Sequence, residues 1–211
     1  MVRIGIDLGG TNIVAGVMDS DYKLLAKARC KTNASRPARE IVTDMARMAR
    51  EAVEKAGLAM SDVEHIGVGS PGTCNAANGI VEYANNLGFD HVPIKAWLEE
   101  DLRVPVSIEN DANAAALGEA LAGAARGARS CVCITLGTGV GGGIILDGKV
   151  YSGFNYAGAE LGHMVIMVDG EDCTCGRQGC WEAYASATAL VRQTRRAMEA
   201  HPDSAMWKIA G

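Results

Sequence analysis

A short segment, residues 162–182, places one histidine and three cysteines close together in the chain. The four side chains are His163, Cys173, Cys175 and Cys180. Gly176 and Gly179 flank the stretch between the last two cysteines, and glycine permits the sharp turns that let three thiolates converge. One histidine and three cysteines make a complete tetrahedral zinc set, which is typical of a structural site. The alternative is a loop disulfide with spare thiols, which a reducing compartment disfavours.

The same segment predicts a polyol site beside the zinc. An imidazole that binds zinc through one ring nitrogen points the other at a second partner, usually an oxygen. Glu160 lies just before His163, and Glu182 lies just after Cys180. Two carboxylates and an imidazole suit hydroxyl groups better than a phosphate, which carboxylates repel. We therefore expect Glu160, His163 and Glu182 to surround one polar ligand.

Composition and charge limit the classes of partner. The chain has 211 residues, is 48% hydrophobic and 21% charged, and carries a net charge of −5. These values are ordinary for a soluble globular protein and give no reason to expect nucleic acid or an anionic membrane as a partner. No apolar run approaches a membrane span, and the first residues do not have the shape of a signal peptide. Seven cysteines disfavour a full disulfide framework, so we expect a cytoplasmic protein.

A glycine-rich turn follows the first predicted strand. Residues 2–7 form an apolar, β-branched run that predicts a buried strand, and residues 13–18 predict a second strand. The candidate phosphate-binding residues here are Asp7, Gly9, Gly10, Thr11 and Asn12. The backbone N–H groups of such a turn are open to an anion, and a carboxylate at the strand end can hold a hydrated Mg²⁺ ion. A plain structural hairpin is the alternative.

A third strand is predicted over residues 24–31, followed by a long helix. Ser35 is the expected N-cap of this helix, Pro37 is expected in its first turn, and Gly57 is expected to end it. The methionines and alanines at helical spacing within it predict core packing.

A fourth strand, over residues 63–69, leads to Gly72 at a sheet edge suited to backbone contacts with a ligand. Asn85 and Asn86 lie in the loop that follows, where their amides could bond sugar hydroxyls. Turn formation alone is the alternative for both asparagines.

Asp111 lies where a strand is predicted to hand over to a helix. Residues 104–108 predict the strand, and the alanine-rich residues 112–118 predict the helix. The positive end of the helix dipole keeps a carboxylate ionised at this position. Asp111 is therefore either a base at the sheet edge or simply the N-cap of the helix.

The second half of the chain repeats the pattern of strand, Gly/Thr turn and strand. Residues 130–136 predict a buried strand, residues 137–143 a glycine-rich turn, and residues 144–146 the next strand, with a hairpin at residues 147–148. The second candidate phosphate turn contains Gly137, Thr138 and Gly139. Two such turns could hold a polyphosphate between two related domains. Residues 183–200 predict a single helix after the cysteine loop.

Four pieces of the chain resemble the ROK family of sugar kinases and repressors, within the actin-like ATPase superfamily. They are residues 7–12 (Asp-Leu-Gly-Gly-Thr-Asn), 109–114 (Glu-Asn-Asp-Ala-Asn-Ala), 136–143 (Leu-Gly-Thr-Gly-Val-Gly-Gly-Gly) and 160–182, with Glu-Leu-Gly-His and Cys-x-Cys-Gly-x-x-Gly-Cys-x-Glu. The match in the cysteine loop is highly specific, and the order and spacing fit along the whole chain. Residues 85–88 resemble the glucose-side loop of kinases in this family.

The resemblance implies an α/β fold of the actin-like ATPase type, with two ribonuclease-H-like domains and the sugar and ATP between them. The first domain would span residues 1–118, and residues 119–211 would begin the second. ROK kinases are usually longer after the helix that follows the cysteine loop. We therefore expect an incomplete second domain, without the adenosine site and the closing helix.

The implied activity is that of an ATP-dependent hexose kinase that phosphorylates the 6-hydroxyl of glucose. Asp111 would be the general base, Mg²⁺ and the two glycine turns would bind the phosphates of ATP, and Zn²⁺ would be structural. The implied sugar-binding residues are Gly72, Asn85, Asn86, Asn110, Asp111, Glu160, His163 and Glu182.

Three alternatives stay open at this point. The substrate could be another hexose or an N-acetylhexosamine. The chain could be a non-catalytic sugar-binding fragment. A ROK repressor would need an N-terminal helix-turn-helix, and the chain begins directly with a strand at Val2, which disfavours that class. A homodimer is expected from the family.

Overall fold

The computed structural model describes residues 1–210. Its strands are β1 (Val2–Leu8), β2 (Asn12–Met18), β3 (Leu24–Lys31), β4 (Val63–Ser70), β5 (Thr73–Asn75), β6 (Ile80–Ala84), β7 (Phe89–Val92), β8 (Val106–Asn110), β9 (Cys131–Leu136), β10 (Val140–Leu146) and β11 (Lys149–Val150). Its helices are α1 (Ala38–Lys55), α2 (Ile94–Leu102), α3 (Asp111–Ala122), α4 (Glu182–Ala185), α5 (Ala187–Ala200) and α6 (Met206–Ala210). The predicted α/β class is confirmed. Within the described residues, no helix is both long and apolar enough to cross a membrane.

The first sheet has five strands in the order β3-β2-β1-β4-β8. β1, β2 and β3 form an antiparallel meander, whereas β4 pairs in parallel with both β1 and β8. The carboxyl ends of β1, β4 and β8 therefore meet at one edge of the sheet, which is where parallel sheets bind ligands.

α1 covers this sheet with a fully apolar face. Its buried residues are Ile41, Val42, Met45, Ala46, Met48, Ala49, Ala52 and Val53, so the methionines pack in the core as predicted. The prediction of Ser35 as N-cap is wrong. Pro37 occupies that position, with φ of −54° and no side-chain cap, because a proline needs no hydrogen-bond partner for its nitrogen and is preset to lead into a helix. Gly57 follows the helix with a φ of +71°, as predicted.

A small antiparallel sheet, in the order β5-β6-β7, and helix α2 lie between β4 and β8. The sequence analysis missed these short elements. Asn85–Leu87 form a 3₁₀ turn instead of an open loop, and Gly88 ends that turn in the left-handed conformation. This excursion carries the two candidate sugar-binding asparagines.

The second sheet has three antiparallel strands in the order β11-β10-β9, which matches the meander of the first sheet. The predicted internal repeat is thus confirmed as a repeat of structure. The turn predicted over residues 137–143 is too long, because Gly141, Gly142 and Gly143 lie inside β10. A Cβ on Gly143 would lie 2.5 Å from the carbonyl oxygen of Ala112, so glycine is needed there for the close approach of α3.

The prediction of a buried strand over residues 130–136 holds for only one face of β9. Val132, Ile134 and Leu136 point to the open face, with exposed fractions of 60%, 36% and 68%. Alternate residues face α3 and are half-buried. A run of apolar residues does not show whether one face of a strand is covered or both, which explains why the sequence predicted a fully buried strand.

The single helix predicted over residues 183–200 is divided. α4 ends at Ala185, Ser186 is extended with φ of −76° and ψ of 161°, and α5 then begins. Ser186 is buried, and its side chain accepts a hydrogen bond from the Ala189 N–H at 3.1 Å, which caps α5. The cap residue therefore interrupts an otherwise helical pattern.

Candidate functional site

Three strand ends bring polar residues together at one edge of the first sheet. Asp7 on β1 pairs with Gly69 on β4, and Gly69 pairs with Glu109 on β8. Asp111 is the first residue of α3, immediately after β8. A Cβ on Gly69 would lie 3.5 Å from the Asp111 Cα, so the small residue lets the helix start close to the sheet. The candidate base thus lies at the edge of the sheet that also carries Asp7.

The N-cap of α3 is Asn110 and not Asp111. The Asn110 Oδ1 accepts hydrogen bonds from the N–H groups of Ala112 at 3.0 Å and Asn113 at 3.2 Å, and its Nδ2 donates to the Gly72 carbonyl at 3.1 Å. The Asp111 Oδ1 shares the Ala112 N–H at 2.9 Å, and the Asp111 residue is exposed. Capping is therefore the task of Asn110, and Asp111 is accessible to a ligand.

Several carboxylates lie within electrostatic reach of Asp111. Burial raises the pKa of Asp7, and the negative charge of Asp111 raises it further. Burial also raises the pKa of Glu160, with His163 acting against that shift and with Asp111 and Glu182 adding to it. These groups come from four separate parts of the chain. Such a concentration of negative charge favours a bound cation or a ligand with many hydroxyl groups.

Replacing Asp7 should make the thermal stability less dependent on pH. The pKa of Asp7 in the folded state is raised above its ordinary value of 3.8. Ionised Asp7 therefore destabilises the fold at pH values above this raised pKa, and the destabilisation disappears as the pH falls below 3.8. Asp7→Asn should therefore raise the melting temperature at pH 7 without divalent ions, by an amount that shrinks towards pH 4. Thermal unfolding across this pH range measures it.

Asp203→Asn is the matched control, because Asp203 is also an exposed aspartate but lies far along the chain from the sheet edge and from Asp111. It should leave the pH dependence unchanged. A lower melting temperature of Asp7→Asn at pH 7 would contradict the assignment.

The first glycine turn lies against the loop that carries the asparagines. The N–H of Gly9 donates to the Asn12 carbonyl at 2.9 Å and closes the turn. A Cβ on Gly10 would lie 3.3 Å from the Nδ2 of Asn86, so the Asn86 amide is in contact range of the turn. The structure therefore brings together two groups of residues that the sequence analysis predicted separately.

Gly72 holds the asparagine loop against β4. Its φ is +88°, and a Cβ there would lie 2.1 Å from the Tyr83 carbonyl oxygen, so no other residue fits without a backbone shift. The Tyr83 hydroxyl donates to the Asn85 Oδ1 at 3.2 Å. Tyr83 is a neighbour of the site that the sequence analysis missed, since an isolated tyrosine in a short strand gives no local signal.

Glu182 connects the cysteine loop to the second glycine turn. Its Oε2 accepts the Val140 N–H at 2.9 Å, and a Cβ on Gly139 would lie 2.3 Å from the same oxygen. Its Oε1 accepts from the Thr174 hydroxyl at 3.3 Å. Thr174 stands between two of the cysteines and was not predicted as a site residue. Both carboxylate oxygens of Glu182 thus have partners within the protein.

The four candidate metal ligands form one cluster. The Nδ1 or Nε2 of His163 and the Sγ atoms of Cys173, Cys175 and Cys180 lie within 4.8 Å of one another. The His163 Nδ1 is 3.6 Å from the Cys173 Sγ, and the Cys175 Sγ is 3.7 Å from the Cys180 Sγ. All seven cysteines lie within residues 1–210 and are free, so the described part of the chain contains no loop disulfide.

Two glycines make the cysteine cluster possible. Gly176 and Gly179 have φ of +84° and +77°, and a Cβ on Gly179 would lie 1.6 Å from the Met167 carbonyl oxygen. The sequence-based expectation that these glycines let the loop fold back is confirmed.

The thiols of the cluster influence one another's ionisation. Desolvation raises the pKa of Cys175, but hydrogen bonds from Arg177 and the neighbouring thiols lower it to about 6. Desolvation, together with the hydrogen bonds and charges of Cys173 and Cys175, raises the pKa of Cys180 to about 11. At neutral pH the cluster therefore carries thiolate charge on its exposed member, which a bound cation would neutralise.

Comparison with known proteins places this architecture among the actin-like ATPases. A Streptomyces griseus glucokinase of the ROK family, solved in complex with glucose and AMPPNP, superposes with a TM-score of 0.83 and 41% identity over 96% of this chain. A homologue of the Escherichia coli MLC protein, a ROK family transcriptional regulator, superposes with a TM-score of 0.82 and 25% identity over 95% of the chain. The fold is thus the actin-like ATPase fold.

The sequence matches the ROK family over residues 3–210, and the chain belongs to that family. The glucokinase of Streptomyces coelicolor is 42% identical over 204 residues, which are 97% of this chain and 62% of that protein. The chain also covers 63% of the Streptomyces griseus glucokinase and 50% of the MLC homologue. Relative to these proteins the second domain is incomplete, as the sequence analysis expected.

Proposed function

We propose that this chain carries the sugar site and the phosphate-binding turns of an ATP-dependent hexose kinase that phosphorylates the 6-hydroxyl of glucose. The observation that supports this most strongly is the position of Asp111. It is exposed, begins α3, and lies near Asp7 and Glu160 at the carboxyl edge of parallel strands. A carboxylate in such a place can accept the proton of a hydroxyl group that attacks a phosphoryl group.

We assign sugar binding to eight residues. They are Gly72, Asn85, Asn86, Asn110, Asp111, Glu160, His163 and Glu182. The amide oxygen of Asn110 accepts the hydrogen bonds that cap α3, so Asn110 can contact the sugar only as a donor, through its amide N–H. Glu182 holds Val140 and Thr174, so it can contact the sugar only through its remaining lone pairs. Glu160 and His163 are therefore the principal sugar ligands in this assignment.

Phosphate binding is assigned to the two glycine turns. The residues are Asp7, Gly9, Gly10, Thr11, Asn12, Gly137, Thr138 and Gly139. Hydrated Mg²⁺ would accompany the ATP phosphates beside Asp7. The negative charges of Asp7 and Asp111 repel each other, which raises the pKa of Asp7, and a bound cation would relieve this repulsion. Phosphoryl transfer depends mainly on alignment and charge neutralisation, which turns and Mg²⁺ provide.

We assign Zn²⁺ to His163, Cys173, Cys175 and Cys180. A tetrahedron with Zn–S bonds of ~2.3 Å has edges of ~3.8 Å, and two edges of the cluster measure 3.6 and 3.7 Å. Bound zinc would cross-link the loop without taking part in the reaction. It would also fix the His163 ring, whose Nδ1 faces the thiols, so that Nε2 is left for the sugar.

The relatives support the kinase assignment more than the regulator assignment. The Streptomyces griseus glucokinase, 41% identical, was solved with glucose and an ATP analogue. The MLC homologue is 25% identical and gives a regulator as the second candidate. A kinase and a regulator could both bind a sugar, so sugar binding alone does not distinguish them. Evidence for a base beside the 6-hydroxyl is also needed to support the kinase. A homodimer remains a prediction.

Calorimetric titration of the chain with a series of hexoses tests the sugar site. Glucose should bind, and 6-deoxyglucose should bind several-fold more weakly, because it lacks the 6-hydroxyl that would donate a hydrogen bond to Asp111. Glu160→Gln should weaken glucose binding, whereas Glu199→Gln on the exposed part of α5 should not. If no hexose produces a binding signal, the sugar site is contradicted.

A further inference from the structure

The first glycine turn is held by a threonine that no sequence motif marks. Thr32 follows β3 and has an exposed fraction of 0%. Its hydroxyl donates to the Gly9 carbonyl at 2.6 Å, and its N–H donates to the Thr11 carbonyl at 3.0 Å. Among the hydrogen bonds of residues 1–210, the N–H groups of Gly10 and Thr11 have no partner. The carbonyl groups of Gly9 and Thr11 therefore have donors, while two N–H groups of the turn have no partner among the described residues.

The second glycine turn has a similar arrangement, in which two neighbouring residues share the part that Thr32 plays in the first turn. The Thr188 hydroxyl donates to the Thr138 carbonyl at 2.9 Å, and the Ala187 N–H donates to the Gly137 carbonyl at 2.8 Å. Both donors lie in the first turn of α5. In the described part of the chain, the N–H groups of Thr138 and Gly139 have no partner. A threonine hydroxyl and a backbone N–H thus bind two carbonyls of each turn.

We propose that Thr32 and Thr188 are paired positioning residues, which hold the carbonyls of the two glycine turns away from the ligand so that free N–H groups face a polyphosphate. The proposal rests on the phosphate-binding role of the turns in the proposed function. The physical reason is electrostatic. A peptide carbonyl that rotated towards a phosphate would place two partial negative charges together, whereas a free N–H group attracts the anion.

Thr32 has firm support of its own. Its carbonyl accepts a hydrogen bond from Arg36 Nη2 at 2.8 Å, and the same Nη2 is 2.7 Å from Asp44 Oδ2 on α1. All the polar groups of Thr32 are therefore engaged, and the turn is connected through it to the main helix of the first sheet. Thr188 is exposed and has no such support, so its effect should be smaller than that of Thr32.

Amide hydrogen exchange by NMR tests the holding role without reference to activity. Thr32→Val keeps the shape of the side chain but removes the hydroxyl, and exchange at the Gly9 N–H should accelerate about tenfold. Exchange at the Gly137 N–H should stay unchanged in this variant. Thr188→Val should accelerate exchange at Gly137 by a few-fold and leave Gly9 unchanged. Thr32→Ser keeps the hydroxyl and should restore slow exchange.

Titration with Mg²⁺ and inorganic tripolyphosphate tests the role towards the ligand. Thr32→Val should weaken tripolyphosphate binding about tenfold, whereas glucose affinity should stay within twofold of the unmodified chain. Thr32→Ser should recover most of the loss. Thr43→Val is the matched control, because the Thr43 hydroxyl also donates to a carbonyl, that of Arg39 at 2.9 Å, but on an exposed turn of α1.

The outcomes separate this inference from the proposed function. Unchanged exchange at Gly9 in Thr32→Val overturns the inference, whatever the chain binds. Faster exchange with unchanged tripolyphosphate affinity overturns the positioning role towards the ligand. Absence of tripolyphosphate binding by the unmodified chain contradicts the proposed phosphate site instead, and the exchange data then still decide whether Thr32 holds the turn.

Discussion

Asp111→Asn should lower the turnover number by ~10²–10⁴-fold, which is the usual contribution of a positioned general base. The amide has nearly the same shape as the carboxylate but cannot take the proton of the attacking hydroxyl. Because α3 is capped by Asn110, the substitution should leave the helix and the fold intact. Glucose affinity should change by no more than a few-fold. Steady-state kinetics with ATP, Mg²⁺ and glucose, together with calorimetry, measure both quantities.

Asp147→Asn is the matched control for this experiment. Asp147 is exposed in the turn between β10 and β11, and its φ of +49° is a conformation that asparagine also tolerates. Turnover in this variant should equal that of the unmodified chain. Retained turnover in Asp111→Asn would remove Asp111 from the catalytic role.

Cys175→Ser should release zinc and weaken glucose binding ~10–100-fold, the range expected when the support of a metal site is disturbed. Serine is a poor zinc ligand, and three remaining ligands would no longer close the tetrahedron. The His163 ring would then lose its fixed orientation. Elemental analysis of the purified chain and calorimetry with glucose give the two readouts.

Cys131→Ser provides the control, because Cys131 lies on β9, outside the metal cluster. It should keep the zinc and the glucose affinity. Unchanged glucose affinity in a zinc-free Cys175→Ser chain would contradict the coupling between the metal and the sugar site.

The elements that the sequence predicts well are those with a strong and long pattern. The apolar face of α1 repeats over several turns, and β1 and β2 are largely apolar runs between clear turn residues. The cysteine cluster was predictable because four soft ligands and two glycines leave few other arrangements. In these cases local chemistry determines the structure almost alone.

Other features depend on contacts between distant segments, which local patterns do not contain. Ser186 divides the predicted helix because it caps α5 beside the second glycine turn. Gly143 lies inside β10 because α3 approaches it closely. Thr32 and Thr188 are important because their hydroxyl groups donate hydrogen bonds to carbonyls of distant turns. The local sequence around each threonine gives no sign of these contacts.

The exposed face of β9 marks a difference between the two sheets, because α1 covers a face of the first sheet, whereas Val132, Ile134 and Leu136 on β9 are exposed. The first sheet adds β4 and β8 beside β1, whereas the second sheet stops at β9, which corresponds to β1 in the repeat. The chain spans 63% of the Streptomyces griseus glucokinase. Because the chain covers less than two thirds of that protein, the activity of these 211 residues by themselves is the central question.

The most direct test is the turnover of the 211-residue chain with ATP, Mg²⁺ and a series of hexoses in a coupled assay. The proposed function predicts ADP formation that depends on a hexose, is greatest with glucose, and is lost in Asp111→Asn. Hexose binding without any turnover would show that the sugar site exists in a chain that does not catalyse the reaction. That result would contradict the claim that these residues form a working kinase site.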